Sequence, residues 1–190
     1  MRLTDRVLSL HPAVVTILFL VLFVGGGAAI NIYPFDGVRS SVIFSVTMLA
    51  LMGPITLWHY SLYRVASDRN AQSVGHSGRR GFLFSQAIVG LCAYLVLFPI
   101  QMPTAPTDPI YKVIAVATPI SMLVANLSYF AAIWAAANAL TRFDDRTKSA
   151  DFSKTFGTFI LQFYLPIGIW VIHPRIKRLL VAPPPPHPEI

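Results

Sequence analysis

Residues 113–140 read VIAVATPISMLVANLSYFAAIWAAANAL, an apolar run with no charged side chain anywhere in it. A hydrocarbon core about 30 Å thick needs roughly 20 helical residues to cross it, so this run is long enough to span a bilayer with room to tilt. Working outward, three further runs meet the same requirement: Ala13 to Tyr33, Val42 to Tyr63 and Phe82 to Ile100. The expected fold is an all-α integral membrane protein, a four-helix transmembrane bundle plus a short C-terminal re-entrant or fifth transmembrane helix. Composition points the same way, since 55% of the 190 residues are hydrophobic and 12% charged, where a soluble domain runs nearer two to one. That length suits a single transmembrane helical domain, residues 1–181, followed by a Pro-rich tail, residues 182–190, of polyproline II character.

The connectors orient the spans. Pro34-Phe35-Asp36-Gly37 is a turn, and three prolines between Gln101 and Pro109 forbid continued helix, so the first and third connectors are short. Arg64 to Gly81 and Thr141 to Lys154 are longer and basic. Counting Arg2 and Arg6 with those two connectors, and setting Arg39 and Lys112 apart, the positive-inside rule predicts a cytoplasmic N-terminus and four spans. The +7 net charge is thus an orientation signal. A fifth apolar run, Phe156 to Ile172, is at the lower length limit and carries Pro166 and Gly168, while Arg175, Lys177 and Arg178 follow it. A re-entrant segment kinked at Leu165-Pro166-Ile167-Gly168 and stopped at Pro174 keeps those cations inside; a full fifth crossing puts them outside. Tyr33, Trp58, Tyr60, Tyr63, Tyr111 and Trp170 are placed for interfacial belts. Arg2 and Arg6 ahead of an apolar stretch and Gly25-Gly26-Gly27 resemble a signal peptide, but the apolar run continues past the glycines, so the segment reads as a retained span.

Helix faces come next. Thr118, Ser121, Ala125, Ser128, Ala132, Ala135 and Ala139 recur at spacings of three and four, which makes one narrow stripe of small side chains. Helices in lipid associate through such seams. Gly25 with Ala29, and Gln86, Gly90 and Ala93, form comparable seams in the first and third spans. Each seam packs either within the bundle or against a second copy or partner subunit. A polar face on the second span, Ser45, Thr56 and His59, together with Asn126 or Asn138, either lines a hydrated path or bonds to neighbouring helices. Asn31, Asn126, Asn138 and Gln162 lie at membrane depth, where an unpaired amide is costly, so each is expected to have an interhelical partner.

Chemistry-bearing patterns are sparse. All eight acids lie in connectors or tails, which argues against proton-coupled transport through intramembrane carboxylates and against paired-acid hydrolysis. Cys92 stands alone and reads as a small buried hydrophobe. His59 and His173 close apolar segments and are the candidates for haem or cofactor ligation, although neither has metal-ligand spacing around it. No phosphate loop or nucleophile elbow occurs, and no cofactor or metal is expected. The basic loop Gly75 to Gly81 suits anionic headgroups better than nucleic acid, since no aromatic-interleaved basic surface accompanies it. The leading expectation is a non-enzymatic multi-pass subunit of a larger complex in a bacterial inner membrane. The alternatives are a small oligomeric channel or facilitator and, third, a membrane redox or haem-binding protein.

Overall fold

The computed structural model describes residues 3–32, 38–70, 84, 87–96, 109–145 and 150–182. Among them every regular element is an α-helix: α1 (Leu3–Leu8), α2 (Pro12–Ile32), α3 (Val38–Arg69), α4 (Ala87–Val96), α5 (Pro109–Asp145), α6 (Phe152–Phe163) and α7 (Leu165–Val181). The turn at Pro34, the Pro-rich connector from Gln101 to Asp108, the Gly75 loop, Gln86 and the tail from Pro183 onward lie outside the described residues.

Two helices are long and apolar enough to cross a membrane, α5 and the Val42–Arg69 portion of α3. Their most apolar stretches are only 11% and 24% buried respectively, whereas the core helix of a soluble protein is mostly enclosed. Both helices overrun the apolar segments read from sequence. α3 continues past Tyr63 to Arg69, because Arg64 to Arg69 contains no Gly or Pro to stop it. α5 begins at Pro109, whose missing N–H costs nothing in a first turn. At the start of α2 the Ala13 amide donates to His11 Nδ1 at 3.2 Å, a side-chain cap ahead of Pro12.

The apolar core sits at one end of the bundle. Leu8 of α1, Leu62 and Ala66 of α3, Ala136 and Leu140 of α5, and Ile172, Ile176 and Leu179 of α7 pack together there. The start of α2 and the ends of α3 and α5 therefore lie at the same end. Trp58 and Tyr63, placed at an interface by sequence position, belong instead to this core, because α3 is packed through its whole last third by α1, α5 and α7. Cys92 is exposed on α4, not buried as its apolar surroundings suggested; a run hydrophobic on all sides carries no signal of which face is turned inward.

The run 156–172 is neither a straight span nor a segment kinked at Pro166. The chain reverses at Tyr164, whose backbone leaves the helical region at φ −90° and ψ 54°. Pro166 falls in the first turn of α7, where proline is tolerated, so it starts a helix where sequence reading placed a break. Pro174 likewise does not stop the chain, and α7 runs through it to Val181. α6 and α7 fold back on each other as an antiparallel pair so close that a Cβ on Gly168 would sit 1.6 Å from the Leu161 carbonyl oxygen.

Candidate functional site

The α6–α7 hairpin covers a column of polar side chains. α6 starts where Asp151 accepts from the Ser153 amide at 2.8 Å, and this start fixes which face looks inward. Thr155, Thr158 and Gln162, at i, i+3 and i+7, are all buried. Thr158 Oγ1 donates to the Lys154 carbonyl at 2.9 Å, accepts from Arg175 Nη1 at 2.8 Å and lies 3.4 Å from Thr141 Oγ1. Arg175 Nε also donates to Asp144, and Arg178 approaches the same carboxylate at 3.7 Å. The ends of α5, α6 and α7 are thereby tied by one charged knot, with Lys154 and Asp145 paired beside it at 2.9 Å. Arg69 closes the top. Its Nη1 reaches the carbonyls of Leu179, Leu180 and Ala182, at 2.7 Å and 2.6 Å for the first and last, satisfying the terminal acceptors of α7 with a cation.

Deeper in the column is His59. Its Nδ1 is 2.8 Å from the Ile55 carbonyl, which makes Nδ1 a donor there. The ring stands edge-on to Trp58 and Tyr129, and the main chain of Gln162 lies beside it without hydrogen-bond geometry to Nε2. His59 Nε2, both ends of the Gln162 amide, Thr155 Oγ1 and Asn138 Oδ1 are buried without a hydrogen-bond partner. A buried amide in that condition costs several kcal/mol, of order 2–7, unless the surroundings reorganise.

The candidate ligand pair does not come together. His173 lies beside His11 at a ring separation of 6.1 Å, near Trp170, while His59 is enclosed by α3 and α5 aromatics. Burial, then Lys177 and His11, push the His173 ring below the usual imidazole range. Among the described residues no three His, Cys, Asp or Glu side chains form a group that could hold a metal.

Of the polar path residues, Ser45 donates to Leu95 O of α4 at 2.9 Å and Thr56 to Met52 O of its own helix at 2.8 Å. Asn138 is half-buried, whereas Asn126 is exposed and donates to Met122 O at 2.8 Å. Asn126 therefore does not share the inner face with His59. Within the chain, among the described residues, Asn126 bonds only to its own helix and neither end of the Gln162 amide has a partner within bonding geometry, so the interhelical partner expected for each is not supplied by this bundle. Asn31's side chain lies outside the described residues.

The seams are placed as follows. Thr118, Ala132, Ala135 and Ala139 are buried, and Ser121, Ala125, Ser128 and Ala93 half-buried. Gly90 meets Ala125 so closely that a Cβ would lie 2.9 Å from the Ala125 amide nitrogen, so part of the α5 stripe is taken up by α4. Gly25 is exposed with nothing near its missing Cβ. Ala29's side chain and Gln86 lie outside the described residues. Sequence reading missed the Asp144, Arg175, Thr158 and Thr141 knot. Its one local signal was the spacing of Thr155, Thr158 and Gln162 on a helix otherwise rich in Phe. No known protein family, no curated protein and no solved structure matches the chain.

Proposed function

We propose that this chain is a non-enzymatic, multi-pass subunit of a larger assembly in a bacterial inner membrane, with four spans and its N-terminus in the cytoplasm. The observation that carries the reading is Asn126. It sits near the middle of the 37-residue helix α5 and is exposed among Met122, Leu123 and Leu127. An outward amide at that depth has donors and an acceptor beyond its one bond to Met122 O, and acyl chains offer none of them a partner. A neighbouring helix does, and interhelical hydrogen bonds of this kind contribute about 0.6–2 kcal/mol each. The open surface at Gly25 gives a second helix room to approach closely.

Extraction from native membranes in a mild detergent tests the reading. The wild-type chain is expected in a particle larger than its own monomer, and Asn126→Leu is expected to shift it toward monomer with unchanged melting. A monodisperse wild-type monomer with no companion overturns the proposal. Release of ions or small solutes from liposomes holding the purified chain overturns it in favour of a facilitator.

A further inference from the structure

We propose that α6 and α7 form a re-entrant hairpin whose aromatic outer face lies against the acyl chains of the leaflet on the basic side; this rests on the membrane reading above. The first support is the inverted amphipathicity of α6. Thr155 and Gln162 are each 1% exposed, while Phe152 is 71% and Phe156 48% exposed. A helix docking in water turns its apolar face inward and its polar face out. This one does the reverse, which is the favourable arrangement where the surroundings are hydrocarbon.

The second support is continuity with a span. Phe156 stacks on Phe159 at 6.4 Å and Phe159 on Phe163 at 6.4 Å, while Phe130 of α5 stacks on Phe163 at 5.5 Å. The outer face of the hairpin is thus one surface with the outward face of α5.

Depth is the third. Arg69 is level with the end of α7, and the Gln162 main chain is level with His59, about 15 Å further along α3 at helical rise. Thr16 of α2 donates to the Pro166 carbonyl at 3.3 Å, so the tip also lies inside the start of α2. Phe163, next to the tip, stacks on Phe130, ten residues or about 15 Å before Leu140 closes the apolar run of α5, so measured on that helix the tip reaches roughly half-way through a 30 Å core. Irregular backbone there must be satisfied internally, and both groups of Tyr164, the residue between the helices, are: its amide donates to Ile160 O at 3.0 Å and its carbonyl accepts from Gly168 at 2.8 Å. The base carries the exposed cations Lys154, Lys177 and Arg178, and the tip carries exposed Ile167.

Spin labels on a Cys92→Ala background test this in vesicles of phosphatidylcholine and phosphatidylglycerol. Labels go on the exposed variants Phe156→Cys, Ile167→Cys, Lys177→Cys and, as a span control, Leu123→Cys. The expected result is several-fold greater relaxation by oxygen than by a water-soluble nickel chelate at positions 156, 167 and 123, with the opposite order at 177. If 156 and 167 respond to nickel while 123 responds to oxygen, the hairpin lies in water and this inference falls with the membrane reading intact. If 123 also responds to nickel, the membrane reading falls. Protection of 156 and 167 from both reagents means that protein covers the face, which overturns the assignment to lipid.

Discussion

Gly168 and Gly157 sit in the same hairpin with opposite surroundings. A methyl group at Gly168 would collide with the Leu161 carbonyl at 1.6 Å, and backbone cannot yield as a flexible side chain does, whereas nothing lies within 4 Å of a Cβ at Gly157. Gly168→Ala is therefore expected to cost about 3 kcal/mol or more, the upper end of overpacking. Gly157→Ala is expected to stabilise by about 0.5–1 kcal/mol through helix propensity. Unfolding in mixed detergent micelles reads both, and equal effects would contradict the close approach of α6 and α7. His173 supplies a pH dependence. Its folded pKa is lowered from 6.5 by burial, Lys177 and His11, so the unfolded chain takes up its proton first as pH falls. Stability is then unaffected above about pH 6.5 and declines as pH drops through and below that value, until the folded form also titrates. His173→Gln is expected to flatten the part of the melting-temperature profile just below pH 6.5. Residue-level chemistry was only partly legible beforehand: His59 and His173 stood out by position, but the rings that surround them, Tyr129 for the one and His11 for the other, come from segments distant in the sequence.

At the scale of elements the charged knot decides how the hairpin is held. Arg175 and Asp144 are 21% and 17% exposed, so the pair is partly screened but far from free in water. Removing one charge leaves the other without its main partner; at this exposure the loss is about 2 kcal/mol, below the 3–5 kcal/mol of a fully buried pair. Asp144→Asn and Arg175→Gln are each expected to lower hairpin stability by that amount, and the double variant by less than the sum, since both lose the Arg175–Asp144 pair. Additive losses would mean that the two side chains work separately. The hairpin illustrates where sequence reading runs out. Pro166 and Gly168, two residues apart in a short apolar run, marked a departure from a straight helix, and the helix does break nearby. The reversal nonetheless falls at Tyr164, because proline in a first turn is a helix starter and the glycine is used for close approach. Asp144 and Arg175 are thirty-one residues apart with no shared local pattern, so nothing in the chain announces their pairing.

For the whole molecule, the apolar runs and their length gave the helical class, and the structure carries two helices that meet the requirements for a membrane span. Helix ends were less legible, since hydropathy marks where apolar residues stop and a helix continues wherever propensity allows, as α3 does to Arg69. The arrangement of ends yields the last prediction. The start of α2, the end of α3 and the end of α5 share one end of the bundle through Leu8, Ala66 and Leu140, while the start of α5 is a full helix length away, about 55 Å along its axis. A chain crossing four times with its N-terminus in the cytoplasm must then expose Asn70 and Ala150 on the cytoplasmic face and Ile110 on the other. With Cys92 replaced by Ala, cysteines at positions 70 and 150 are expected to react with a membrane-impermeant maleimide only after the cells are opened, and a cysteine at position 110 in intact spheroplasts. Labelling of 70 and 150 from opposite sides would contradict the shared end. Labelling of both from outside would keep the fold and invert the orientation that the basic residues assign.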